Sequence, residues 1–466
     1  MGRFKKLLSN TAILGAGTFI SKVLVFLLMP LYTACLSKSE FGVADILMQT
    51  ANLIIPIAII GVADGLFRFT IDADGNNRKQ IFTFSIITLL VGMVPLALLM
   101  QVFRFFSVYD GYIWLVFFYI CAANLHLIVA NYVRGCDKTK TFAVQGIINT
   151  ALVIIFNIIF LVVFDMGVTG YLLSVVLADF TVSVGLIIFC RLYRDITVKG
   201  ISKTLIKELL NFSVPYIPLT IMWTITSVSD RFVILATLGE DATAINGLYA
   251  AAYKLPTLIT IAGGIFMKAW HISSVSESDE QERATFFGNV YKNYICLMFA
   301  GAACLVAFSK LFTRILLNES YYDSWKYVPI LAIAMIFSVF TEFLGSVYFV
   351  RKKSLKSLGT AAVGAITNIV LNFALIPFWG ASGAAIATAI CYALVFLIRL
   401  ADTQKYIKFD RSIAKTVINT VLIVAQVVVM VLDLPYWWAY QIGFVAVILV
   451  FNGREVIRSV LKLIKK

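Results

Sequence analysis

Three cations and two carboxylates stand where charge is costly. Lys22, Arg231 and Lys254 lie within long apolar runs of the sequence, and so do Asp179 and Glu342. An ionisable group at the centre of a membrane helix costs about 2.5–3.5 kcal/mol on insertion scales, so each needs a partner or a wet cavity. Lys22 has no acid within a turn or two on its own run, which points to a cavity. Asp230 adjoins Arg231, and for Asp230, Arg231 and Lys254 a buried ion pair competes with the cavity reading. Lysine as a point charge and arginine as a bidentate fork both suit phosphate, so a space lined by Lys22, Arg231 and Lys254 selects an anion. Asp179 and Glu342 are the carboxylates suited to coupling with Na⁺ or H⁺. Asp45, Asp64, Arg68 and Lys292 stand nearer to run ends, where long side chains snorkel.

Other chemistries lack their residues. The two histidines, His126 and His271, have no ligand-spaced partner, and the seven cysteines show no CxxC or Cys/His spacing. No metal site and no cofactor is expected. There is no GxxxxGK[ST], so ATP would have to be used by a separate subunit. No loop exceeds about twenty residues, which leaves no place for the extramembrane catalytic domain or long external loop of a membrane polymerase. The expectation is a protein that is not an enzyme.

The elements that position these charges are membrane helices. Apolar residues make up 61% of the 466, charged residues 14%, and the mean hydropathy is +0.91. Such a chain has lipid as its solvent. Runs of about twenty apolar residues fall near 11–33, 42–66, 81–103, 112–133, 142–164, 168–190, 212–238, 246–268, 286–308, 326–350, 357–377, 380–400, 413–433 and 436–452. They are continuously apolar, which excludes a β-barrel, and the first reads as a retained helix, not a leader. The fold class is therefore all-α integral membrane with about fourteen spans. With the amino terminus inside, thirty of the 39 lysines and arginines fall on the inner side and only Lys38, Arg104, Lys310, Arg314 and Lys326 on the outer. This bias predicts both termini in the cytoplasm. It also accounts for the net charge of +14 as a topology signal, so nucleic acid is not an expected partner.

The chain carries an internal echo. Gly167-Val-Thr-Gly170 follows a run bearing Asn149 and Asn157, and Gly380-Ala-Ser-Gly383 follows one bearing Asn368 and Asn372. Phe41-Gly42-Val43 and Asn246-Gly247-Leu248 open corresponding runs at a similar offset. Two such echoes imply duplicated bundles: residues 1–197 with spans 1–6, and 212–400 with spans 7–12. A basic amphipathic linker, 198–211, joins them, and 401–466 adds two spans and a basic cytoplasmic tail. Pro215 and Pro218 make the seventh span the candidate hinge, because proline removes a backbone donor and kinks a helix.

Phe19-Ile-Ser-Lys22, Pro30-Leu-Tyr-Thr33, Leu36-Ser37, Glu40-Phe41-Gly42 and Asp45 resemble the opening of bacterial polysaccharide flippases (Wzx-type) of the multidrug/oligosaccharidyl-lipid/polysaccharide (MOP) exporter superfamily. Leu238-Gly239, Asn246-Gly247-Leu248-Tyr249 and the Gly380/Gly383 turn are similar to that family's second half. The resemblance implies a V-shaped transporter of two six-helix bundles, like the MATE branch of the superfamily, plus two C-terminal helices. It implies a cytoplasmic-membrane flippase that moves an undecaprenyl-diphosphate-linked oligosaccharide outward for O-antigen, capsule or related polysaccharide. Its partners would be that polyprenyl-diphosphate-linked saccharide, membrane lipids and polysaccharide assembly proteins. Relatives hold cations in a central cavity, and Lys22, Arg231 and Lys254 fit that description. The alternatives are a multidrug or metabolite antiporter, whose cavity would be acidic or apolar, a membrane glycan polymerase or ligase, and a scramblase or sporulation protein of the same fold.

Overall fold

The computed structural model describes residues 24, 26–197, 202–276, 280–351 and 353–464, with the side chains of 64, 269, 271–273, 275–276 and 454–464 outside the description. Among the described residues every regular element is helical, as lipid requires: without water, each backbone N–H and C=O must be satisfied within its own segment. Seventeen α-helices follow one another. They are α1 (Met29–Cys35), α2 (Lys38–Ala58), α3 (Val62–Asp72), α4 (Gly75–Val102), α5 (Ile113–Gly135), α6 (Thr139–Asn157), α7 (Gly167–Phe189), α8 (Lys203–Ser213) and α9 (Tyr216–Thr237). The remainder are α10 (Ala242–Lys254), α11 (Thr257–Ser276), α12 (Glu280–Ala307), α13 (Ser309–Leu316), α14 (Val328–Val350), α15 (Ser354–Asp402), α16 (Ile413–Val431) and α17 (Trp437–Ile464). Local chemistry sets several starts. Ser37 and Glu40 form a capping box at α2, and Asp74 accepts from the Asn77 backbone N–H at α4. Each satisfies amides that the first turn leaves open.

Ten helices among the described residues are long and apolar enough to span a membrane, and the bent pair 239–254 and 257–268, angled at 42°, would make an eleventh. The sequence runs number fourteen, and the difference has identifiable sources. Most of the first run lies outside the described residues, and the last is a shorter apolar helix, Trp437–Gly453. A third source is α15, with 49 residues. At 1.5 Å per residue it would be about 74 Å long if straight, against a hydrocarbon core of about 30 Å. It is a hairpin. Gly380 has φ 55° and ψ −139°, a conformation almost restricted to glycine. Across the bend, Arg399 Nε donates to Thr360 Oγ1 at 2.9 Å, Cys391 Sγ contacts the Gly364 carbonyl, and Asn368 Nδ2 donates to Thr388 Oγ1 at 3.3 Å. These pairings are antiparallel, so 354–379 and 381–402 are separate spans joined by one tight turn.

The chain forms two compact units, Met1–Ile225 and Thr226–Lys466. In the first, α5 packs along α7, α2 lies against both, and α6 closes on α7. The amphipathic α8 belongs here too. Leu209 is buried in the cluster of Ile59, Leu66, Ile128 and Tyr132, while Lys203, Lys207 and Glu208 remain exposed. Gly65 is the reason α8 can approach α3, since a methyl there would meet Leu209 Cδ1 at 2.7 Å. In the second unit, α14 packs along α15, and α10 lies against both, a pattern like that of α5, α7 and α2. Gly167 and Gly380, the first glycines of the two echoed turns, share a left-handed φ of 53° and 55°.

The last two helices, α16 and α17, pack on α12 as part of the second unit. Asn419 and Asn452 hydrogen bond reciprocally at 3.1 and 2.7 Å. Gln426 Nε2 donates to Gln441 Oε1 and to the Ala303 carbonyl, both at 2.9 Å. At the far end Lys310 stands 4.3 Å from each of the Trp325 and Trp437 rings and pairs with Asp433.

Candidate functional site

Each unit buries a polar cluster that contains residues expected from the sequence. In the first, Asp179 of α7 is 7% exposed and accepts at Oδ1 from Asn149 Nδ2 and from His126, both at 2.9 Å. The second nitrogen of His126 faces Gln145 Oε1 at 2.7 Å. Both neighbours of the imidazole are acceptors when the carboxylate is ionised and Gln145 is oriented in this way. Four residues from three helices thus gather a carboxylate, an imidazole and two amides inside apolar spans. Gln145 and Asn149 reach it together because positions i and i+4 share a helix face.

The second cluster centres on Asp230 and Arg231 of α9, which are 0% and 2% exposed. Arg231 NH1 reaches Asp230 Oδ1 and the Ser227 carbonyl, both at 2.8 Å. Its guanidinium lies 4.4 Å from the Tyr253 ring and 5.2 Å from that of Tyr249, whose hydroxyl donates to Asp230 Oδ2 at 2.6 Å. Beside them Ser229 Oγ donates to Asn368 Oδ1 at 2.5 Å, and Asn372 Nδ2 bridges to both.

The residues expected from the sequence fall in unequal places. Lys22 lies outside the described residues. Arg231 is enclosed, its charge matched by Asp230 and two aromatic rings, so it takes the ion-pair arrangement and presents no free guanidinium to a cavity. Lys254 closes α10, one position after Tyr253, and is half-buried. Asp179 belongs to the first unit and Glu342 to the second, where Glu342 is exposed on α14. Pro215 stands in the two-residue break between α8 and α9, and Pro218 in the first turn of α9. Among the described residues no three histidine, cysteine or acidic side chains gather as a metal site.

Sequence reasoning missed His126, Gln145 and Ser229 as cluster members and read the asparagines only as marks of repetition. The available signal was polarity alone, since an amide or imidazole inside an apolar span has to find a partner. Arg399, one of the thirty cations counted on the inner side, does not lie in a loop. It is buried, holding Thr360 Oγ1 and the Thr341 carbonyl at 2.9 Å each. Gly345 makes room for it, because a Cβ there would stand 2.5 Å from its NH1.

Helices that are apolar outside and bury ion pairs and amide clusters inside define a multi-pass membrane protein. The model of the polysaccharide biosynthesis protein family matches residues 7–271, more than half of the chain, and the chain belongs to that family. Among solved structures it is similar to the lipid II flippase MurJ in an inward closed conformation, with a TM-score of 0.71, 12% identity, and coverage of 97% of this chain and 100% of that one. It is also similar to an outward-facing multidrug resistance MATE family transporter of the MOP superfamily, with a TM-score of 0.61, 15% identity, and coverage of 85% and 94%. A MOP superfamily transporter from Pyrococcus furiosus, described by the reverse polarity of its binding pocket, aligns at a TM-score of 0.55 and 14% identity over 85% and 95%. No curated protein matches the sequence. The fold is thus that of MOP superfamily transporters.

Proposed function

We propose that this protein translocates an undecaprenyl-diphosphate-linked oligosaccharide across the bacterial cytoplasmic membrane by alternating access, with both termini in the cytoplasm. Membership of the polysaccharide biosynthesis family carries the reading. The bias of lysine and arginine supports the orientation. In this proposal Lys254 holds the diphosphate, and Arg231 holds α9 to α10. The test is reconstitution. Purified protein in proteoliposomes should move a fluorescent polyprenyl-diphosphate oligosaccharide between leaflets, and movement no faster than in protein-free vesicles would overturn the assignment.

Lys254→Glu should slow that movement by about ten- to a hundredfold, because a charge-assisted contact to phosphate contributes about 1.5–3 kcal/mol. Unchanged turnover in a folded Lys254→Glu sample would remove Lys254 from the site.

The His126 and Asp179 pair, an imidazole bonded to a carboxylate within apolar spans, supports H⁺ as the coupling ion. Asp179→Asn keeps an acceptor for Asn149 and His126 but cannot exchange a proton. Movement driven by an imposed pH gradient should then fall to the rate without a gradient, while folded yield stays near that of the parent. A parent protein indifferent to the gradient would exclude proton coupling.

A further inference from the structure

One cluster outside both buried sites gathers more cations than acids among the described residues. At one end of the second unit, α12 begins beside the end of α14 and the loop that follows α15. Between them lies an open cleft of about 650 Å³ lined by Glu280, Arg351, Lys353, Lys405, Tyr406 and Lys408. Four cations thus face one acidic side chain of the lining, and Asp402 behind it makes a second. Arg351 NH2 pairs with Glu280 Oε1 at 2.6 Å, and Lys405 with Asp402 Oδ1 at 3.2 Å. Lys353 stands over the Tyr406 ring at 5.9 Å, and no described carboxylate forms an ion pair with Lys353 or Lys408. Among the described residues the cleft therefore carries two positive charges in excess.

The scaffold beneath these cations is ordered by its own contacts. Tyr348 donates to Asp402 Oδ2 at 2.9 Å and meets the Tyr406 ring edge-on at 6.0 Å. The Lys353 backbone N–H donates to the Tyr348 carbonyl at 2.8 Å. Ile407 and Phe409 are buried, and Phe409 lies against Phe287 and Tyr291 at 6.2 and 5.6 Å. Topology requires only that cations lie on one side of the membrane. It does not require that separate segments bring them to a single concavity held by a buried aromatic anchor.

We infer that this cleft binds the phosphate of an anionic phospholipid headgroup from the adjacent leaflet. Phosphate is the anion that lysine and arginine recognise together, and basic pockets at helix ends take such headgroups. A lipid is favoured over a soluble phosphate ester by the flanking surface. Phe349 and Leu355, next to the cations in sequence, are 59% and 83% exposed, an apolar surface that suits acyl chains and has no use for a water-soluble ligand.

The test titrates full-length protein in detergent with short-chain phosphatidylglycerol, short-chain phosphatidylcholine and sn-glycerol 3-phosphate, following bound ligand by native mass spectrometry. Phosphatidylglycerol should bind at least tenfold more tightly than phosphatidylcholine, and glycerol phosphate should compete only weakly. Lys353→Gln with Lys408→Gln, both exposed positions, should bring phosphatidylglycerol down to the level of phosphatidylcholine while the size-exclusion profile stays that of folded protein. Equal binding of the two lipids, or full retention by the double variant, would overturn the site. Glycerol phosphate binding as tightly as the lipid would overturn the headgroup assignment in favour of a soluble ester.

Discussion

Asp230→Ala should cost about 3–5 kcal/mol, the usual loss when one partner of a buried ion pair is removed. The reason is the environment of Arg231. Its guanidinium is 2% exposed, and Asp230 Oδ1 is the carboxylate oxygen that its NH1 meets at 2.8 Å. Folded protein recovered after extraction should fall severalfold, because total stabilities of about 5–15 kcal/mol leave little margin. Asp230→Leu combined with Arg231→Met removes both charges together and should recover most of that yield. The double variant then serves a second purpose. If it folds yet fails to transport, the pair works in the cycle as well as in the architecture, and if it transports normally, the pair is structural. Parent-like recovery of Asp230→Ala by fluorescence size-exclusion would show that Arg231 finds another anion.

The second large effect is expected at the bend of α15. Gly380→Ala places a side chain on φ 55° and ψ −139°, a strain of about 1–3 kcal/mol. Gly383→Ala would drive its Cβ to 2.5 Å from the Leu375 carbonyl oxygen. That neighbour is backbone and cannot rotate away, so overpacking of about 1–3 kcal/mol is expected. Together they should shift the aggregation temperature down by many degrees. Gly359→Ala in the same helix is the control, since nothing lies within 4 Å of its added methyl. It should be neutral or slightly stabilising, as alanine favours helix over glycine by about 1 kcal/mol. Equal tolerance of all three substitutions would mean that the hairpin does not depend on its glycines.

The spans were legible because the bilayer enforces a length and a composition that few other structures share. The Gly380 turn was legible too, as a glycine pair after an asparagine-bearing run. What the sequence hid was pairing between distant segments. Nothing near Asp179 in the chain announces His126, 53 residues earlier, because their meeting depends on how α5 and α7 cross. Arg399 looked like one more cation flanking a span, yet the small residue Gly345 on another helix admits it to the interior. Asp230 and Arg231 are adjacent, so their pairing could be considered from sequence. Its enclosure by Tyr249 and Tyr253 could not, since those rings come from α10.

The amides of α16 and α17 bear on biogenesis. An asparagine or glutamine entering hydrocarbon alone is a poor substrate for the insertion machinery, and these helices carry four of them. Asn419 with Asn452, and Gln426 with Gln441, answer one another inside the hairpin. The two helices can therefore partition into lipid as a pair whose polar groups are already largely satisfied. The bond from Gln426 to the Ala303 carbonyl then belongs to a later step, in which the finished hairpin docks on α12. Replacing one amide of a pair would burden membrane entry itself, before any question of transport arises.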